Sequence, residues 1–167
     1  MILKFFNKNF YISFLIVVLI YFLDRLSKIY VIQLDKNNFG SEIFNSSYLN
    51  IVLIWNKGIA FGLFSFNETH LYNILSLIIS IIIIIVIIMS LRTQGFKRYS
   101  LLMVVGGALG NLYDRIFFNA VPDFIDFHIG EFHWFIFNVA DMFISLGVIF
   151  MILYELIDNN KNNDQKI

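Results

Sequence analysis

Acidic and amide side chains recur in this chain at positions where so apolar a sequence has little use for them except as chemistry. Of 167 residues, 59% are hydrophobic and 14% are charged, whereas a soluble domain carries about a quarter charged. Asp24 with Lys28, then Asn111 with Asp114 and Arg115, then Asn138 with Asp141, all lie within or at the end of long apolar runs, and Asp123 lies between the last two runs. A charge at the centre of a membrane helix costs about 2.5–3.5 kcal/mol on insertion scales, so such groups are rare and usually functional. The spacings i,i+3 and i,i+4 put each set on one helix face. Asp141 has no cation one turn away on its own helix. A second carboxylate beside it would share a proton with it, because two adjacent carboxylates cannot both ionise cheaply. Aspartic proteases activate water with such a pair.

Each set also has a bland reading. Asp24 and Lys28 form a neutralised pair that eases insertion. Asp114 and Arg115 read as structural, with Arg115 near a lipid phosphate or a loop carbonyl. Asn138 fits a helix-start cap. Gly106 and Gly110 make a G-x-x-x-G pair, which favours close helix packing; no phosphate loop is possible there, since no Lys-Ser/Thr follows. His128, Glu131 and His133 fall close together, but no H-E-x-x-H pattern exists and no metal is expected. The chain has no cysteine, which excludes disulfides, thiolate ligands and a Cys nucleophile. A net charge of zero leaves no basic footprint for nucleic acid.

These residues need elements to hold them. A span takes about 20 apolar residues to cross roughly 30 Å of hydrocarbon, and four stretches qualify, at about 10–34, 71–91, 99–118 and 135–156. The expected fold is therefore an all-α membrane protein of one domain over 1–167, with four transmembrane helices. The first run passes straight into Asp24-Arg25 without a small-residue cleavage site, so it reads as a span and not a removed signal peptide. Lys4, Lys8, Arg92, Lys97, Arg98, Lys161 and Lys166 fall on one side when four spans alternate, which places both termini in the cytoplasm. Asp24, Asn111, Asp114, Asp123 and Asp141 then gather near the outer face. In the first outer loop Tyr48 to Trp55 reads as a strand, Asn56-Lys57-Gly58 as a turn and Ile59 to Phe64 as a second strand. A small extracytoplasmic β-hairpin or sheet between helices 1 and 2 is expected.

Together these segments resemble the lipoprotein signal peptidase (signal peptidase II) family over about Phe10 to Tyr154. The resemblance is carried by Asp24-Arg25-Leu26-Ser27-Lys28, Asn56-Lys57-Gly58-Ile59-Ala60-Phe61, the run from Gly106 to Arg115, Val121-Pro122-Asp123-Phe124 and Phe137-Asn138-Val139-Ala140-Asp141. It implies an inner-membrane aspartyl endopeptidase that removes signal peptides from diacylglyceryl-modified prolipoproteins, cutting before the lipidated cysteine, and that is inhibited by globomycin. It makes Asp123 and Asp141 the catalytic pair. It places Asp24, Lys28, Asn56, Gly58, Asn111, Arg115 and Asn138 around the pocket or substrate, and gives Asp114 a structural role. It implies no metal or organic cofactor. The expected partners are lipid-modified prolipoproteins and membrane lipid, with the enzyme a monomer. Two positions depart from the family pattern: Pro122 precedes Asp123, and Met142 follows Asp141.

From the residues alone, other classes stay open. A small transporter would spread its charges through the membrane depth, whereas here they cluster and the second span has none. A non-catalytic scaffold would tolerate Asn in place of Asp123 or Asp141. A peptidase with the same pair and another substrate is a third reading.

Overall fold

In a computed structural model of the chain, residues 8–37, 43–58 and 69–164 are described. Four helices carry the apolar runs: α1 (Lys8–Asn37), α2 (Thr69–Arg92), α3 (Gly95–Phe118) and α4 (Val139–Asp164). All four are long and apolar enough to cross a membrane. Their outward faces are greasy, with Phe14, Leu15 and Leu26 on α1 and Leu77, Ile81 and Ile84 on α2 exposed, as lipid-facing positions should be. The central helix is α3, which packs against the other three.

Small residues set that packing. A Cβ on Gly106 would fall 2.9 Å from Ile20 of α1, and one on Gly147 would fall 2.6 Å from the Ser100 carbonyl oxygen. A Cβ on Gly107 would run into the Ala140 carbonyl oxygen of α4, and one on Gly110 would fall 2.5 Å from Asp24 Oδ2. Close approach through small residues is how membrane helices associate without a hydrophobic drive between them. At Gly110 the approach admits a carboxylate, not an aliphatic chain.

At the end of the bundle where α1 and α3 finish lies a three-stranded antiparallel sheet in the order β1-β2-β3: β1 (Leu49–Asn56), β2 (Val121–Ile129) and β3 (Phe132–Phe137). The first strand falls where the sequence places it, between α1 and α2. Its partner is β2, from the other loop on the same side, with Ile54 opposite Asp123 and Trp55 opposite Pro122. The expected second strand, Ile59 to Phe64, lies outside the described residues. Helix α3 ends on Asn119 in the left-handed region, φ 52°, a cap Asn tolerates better than most side chains. Strands β2 and β3 join through Gly130-Glu131, with Gly130 at φ 58°.

The helix limits differ from the apolar runs in two ways. Helix α1 runs past 10–34 at both ends because polar residues at a membrane surface continue a helix as readily as apolar ones. Helix α4 starts at Val139 rather than about 135, because Phe135 to Phe137 belong to β3; a short apolar run does not separate buried strand from helix. Pro122 is accommodated because β3 pairs only with Ile125 and beyond. The strand is therefore locally an edge on that side, where a missing N–H costs little.

Candidate active site

Helix α4 begins at Asn138, and its first turn organises the acidic cluster. The Asp141 N–H donates to Asn138 Oδ1 at 3.0 Å, and the Asn138 N–H donates back to Asp141 Oδ2 at 3.3 Å. This is the reciprocal logic of a capping box, with Asn and Asp in the roles of Ser and Glu. The fully buried Asn138 has one more group to place, and its Nδ2 donates to Asp123 Oδ1 at 2.6 Å. One residue thus touches both carboxylates. A second amide, Asn56 Nδ2 at the end of β1, donates to Asp123 Oδ2 at 2.9 Å. A third, Asn111 Nδ2 on α3, donates to Asp141 Oδ1 at 2.7 Å.

Behind the amides sits a buried charge cluster. Lys28 Nζ donates to Asp24 Oδ2 at 2.8 Å, Asp114 Oδ2 at 2.7 Å and Asn111 Oδ1 at 2.8 Å. These three bonds use all the protons of the ammonium. Lys28, Asp24 and Asp114 are fully buried. Arg25 supplies the second cation: its Nη1 lies 2.6 Å from Asp114 Oδ1, an ion pair off the angle of an aligned hydrogen bond, and its guanidinium stacks 4.7 Å from the Tyr113 ring. Two acids and two bases balance. A buried pair is strongly destabilised when one partner is removed, by about 3–5 kcal/mol. Asp24 Oδ1 accepts the Ala140 N–H at 3.0 Å, so the cluster also satisfies a free donor of α4. Because Lys28 holds the acceptor end of the Asn111 amide, the donor end must face Asp141.

Arg115 is buried on α3 and reaches a loop carbonyl: Nη2 donates to Gly58 O at 3.3 Å, and Nη1 to Asn111 O at 3.2 Å. The Gly58 N–H donates to Asn56 Oδ1 at 2.8 Å. This turn fixes the Asn56 amide so that its nitrogen points to Asp123. Met142 is exposed and faces away from the cluster, so its bulk is not felt there.

Asp123 is buried and has a carboxyl pushed up to about 6. Burial is the main cause and the charge of Asp141 the second. The amides of Asn56 and Asn138 and the charge of Lys28 oppose both. A buried acid coupled to a second acid, with amides fixing both, suits proton transfer to and from water.

Comparison with known proteins gives the family. Residues 16–157 match the family described as signal peptidase (SPase) II. The chain belongs to that family. The lipoprotein signal peptidase of Pelagibacter ubique (strain HTCC1062) is 47% identical over 159 residues, 95% of this chain and 96% of that protein. The lipoprotein signal peptidase of Anaplasma phagocytophilum (strain HZ) is 43% identical over 137 residues, 80% of this chain and 85% of its own. A bacterial membrane enzyme solved by the in meso method at 2.3 Å superposes with a TM-score of 0.73 at 29% identity, over 89% of this chain and 90% of that one. As a member of that family the chain is a membrane aspartic peptidase, multi-pass in the bacterial inner membrane.

Asp24, Lys28, Asn56, Gly58, Asn111, Asp114, Arg115, Asp123, Asn138 and Asp141 fall in this one connected network, whereas His128 and His133 lie apart from it on the sheet, and Gly106 and Gly110 hold α1 against α3 beside it. Two further contributors to the network carry little sequence signal. Arg25 was visible only as a second charge beside Asp24. The Ala140 N–H leaves no side-chain signature. Outside the network, Asp126 accepts from Asn50 Nδ2 at 3.3 Å and lies 2.8 Å from His133 Nδ1; the sequence signal for it is the Asp-x-His of Asp126-Phe127-His128.

Proposed function

We propose that Asp123 and Asp141 are the catalytic pair of this peptidase and that its substrates are diacylglyceryl-modified prolipoproteins, cut on the N-terminal side of the lipidated cysteine. The observation that carries the pairing is Asn138, bonded to Asp123 through its side chain and to Asp141 through its backbone and side chain. The two acids share one proton. The ionised carboxylate takes a proton from water, and the protonated one donates a hydrogen bond to the scissile carbonyl. General acid–base catalysis of this kind gives about 10²–10⁴-fold. Asn56 holds Asp123 Oδ2 and Asn111 holds Asp141 Oδ1, which fixes the orientation of each carboxylate. The acyl chains lie on apolar helix surface, where each buried CH₂ adds about 0.8 kcal/mol. The names of the relatives support the substrate class. The charge bias of the loops supports cytoplasmic termini and a site near the outer face, and the enzyme acts as a monomer.

The test is purified protein with a lipid-modified precursor, read by gel shift with and without globomycin. Asp123→Asn and Asp141→Asn each abolish cleavage while membrane insertion is retained. Normal processing by either variant refutes the pairing. Equal cleavage of a precursor lacking the diacylglyceryl group refutes the substrate assignment.

A further inference from the structure

The sheet carries a second polar cluster that hydrolysis does not use. Asp126 and His128 stand two residues apart on β2, and both are buried, while His133 stands opposite His128 on β3. On the same strand, Phe127 and Ile129 are exposed, so the polar side chains share one face and the apolar ones the other. One ligand atom from each of Asp126, His128 and His133 lies within 4.8 Å of the others. The two imidazoles stack at 5.0 Å between centroids. His133 Nδ1 lies 2.8 and 3.0 Å from the two Asp126 oxygens, and Asn50 Nδ2 steadies that carboxylate at 3.3 Å.

One group is unexplained by protein contacts. His128 is nine-tenths buried, and its Nδ1 is shielded from solvent with no hydrogen-bond partner among the described residues. An orphaned buried ring nitrogen is costly to keep. An ion held by all three side chains would give it a partner.

We propose that Asp126, His128 and His133 bind a divalent transition-metal ion of the zinc class, as a site on the sheet separate from the aspartate pair. Two imidazoles and one carboxylate are the donors that suit such ions. The fourth position is left to water. Bonds of about 2.0–2.1 Å in a tetrahedron bring ligand atoms to about 3.3–3.5 Å from each other, so the cluster closes by a turn of the exposed His133 ring. The bound ion clips β3 to β2 beside the Gly130-Glu131 turn. Asn50 acts behind the ligands, orienting the carboxylate as such partners do in metal sites.

The experiment titrates Zn²⁺ into the full-length, tag-free protein in detergent by calorimetry, with Co²⁺ as a spectroscopic substitute. Expected are one ion per chain and the visible bands of tetrahedral Co²⁺. His133→Ala, at an exposed position that the fold does not need, weakens binding by about tenfold or more, and Asp126→Asn does the same. Asp123→Asn/Asp141→Asn binds zinc as the natural chain does, which keeps this result distinct from the fate of the catalytic assignment. The proposal is overturned by absence of stoichiometric binding, by unchanged affinity in His133→Ala, or by loss of binding in the double aspartate variant.

Discussion

Asn138 does two separable things, and two substitutions part them. Asn138→Ala removes the acceptor of the Asp141 N–H, at 3.0 Å, and the donor to Asp123 Oδ1, at 2.6 Å. Loss of an N-cap costs about 1 kcal/mol of stability. Loss of a hydrogen bond to an ionised acid costs about 1.5–3 kcal/mol, which at 1.36 kcal/mol per decade is about 10- to 150-fold in kcat/KM if the bond acts in the reaction. The removed donor favoured the charged form of Asp123, so its titration, near 6 in the intact site, moves to higher pH by about one to two pH units. Asn138→Ser restores a cap, because a hydroxyl on one carbon still reaches the Asp141 N–H, but it is too short to reach Asp123. The Ser variant should regain the thermal midpoint lost in the Ala variant while keeping its slow rate and displaced pH limb. The assay is cleavage of a lipidated precursor across pH 5–9 beside thermal scans of the same detergent-purified samples. A Ser variant with the natural rate and pH limb would show that Asn138 only starts a helix and does not tie the acids together.

Four further substitutions test the frame around the pair. In the folded chain Asp123 titrates near 6 rather than 3.8, so the fold binds an extra proton between those values. Its contribution is present below about 4 and lost as pH rises to about 6, about 3 kcal/mol in all. The fall in thermal midpoint over that window should shrink in Asp123→Asn, and equal falls would refute the raised titration. Lys28→Met leaves buried Asp24 with only the 3.7 Å contact of Arg25 Nη2 and removes one of the two cations on Asp114, and should lower stability by about 3–5 kcal/mol and slow cleavage by freeing the Asn111 amide; a fluorimetric melt indistinguishable from the natural chain would contradict the cluster. Gly107→Ala pushes a methyl onto the Ala140 carbonyl, one residue before Asp141, and overpacking of this kind costs about 1–3 kcal/mol. Gly95→Ala meets open space at φ 64° and should cost about 1 kcal/mol through backbone strain alone, with cleavage unchanged. Equal effects of the two on activity would deny that the α3–α4 contact sets the position of Asp141.

Much of this arrangement is legible in the sequence because lipid imposes strict terms. The apolar runs give four spans, and polar residues inside them stand out against that background. What is lost is anything set by partners distant along the chain. Lys28 reads as the i,i+4 mate of Asp24, yet two of its three bonds go to Asp114 and Asn111 on α3, which no local period reveals. The β2–β3 hairpin is hidden for another reason. Phe132 to Phe137 runs almost without a break into the apolar α4, and Ile129-Gly130-Glu131-Phe132 is a weak turn signal beside Asn-Gly or Asp-Gly. Read as the start of a span, that run conceals the strand that sets Asn138 at the head of α4, and with it the sheet face that gathers Asp126, His128 and His133.

The place where α4 starts explains why acids collect there. The first N–H groups of any helix lack intrahelical partners, and in a membrane-embedded bundle each unsatisfied one costs several kcal/mol. Here the Ala140 N–H goes to Asp24 and the Asp141 N–H to Asn138. The positive end of the helix favours the carboxylates around it. Satisfying the helix end therefore requires the oxygen-bearing side chains that the chemistry also requires. The two acids nevertheless end up held differently. Asp141 is fixed by its own helix and one amide from α3. Asp123, on a strand, has each oxygen held by a separate amide, one from β1 and one from the head of α4. A movement of the sheet against the bundle would change the bond from Asn138 while keeping that from Asn56, so the alignment of the pair depends on how firmly β1 and β2 sit over α4.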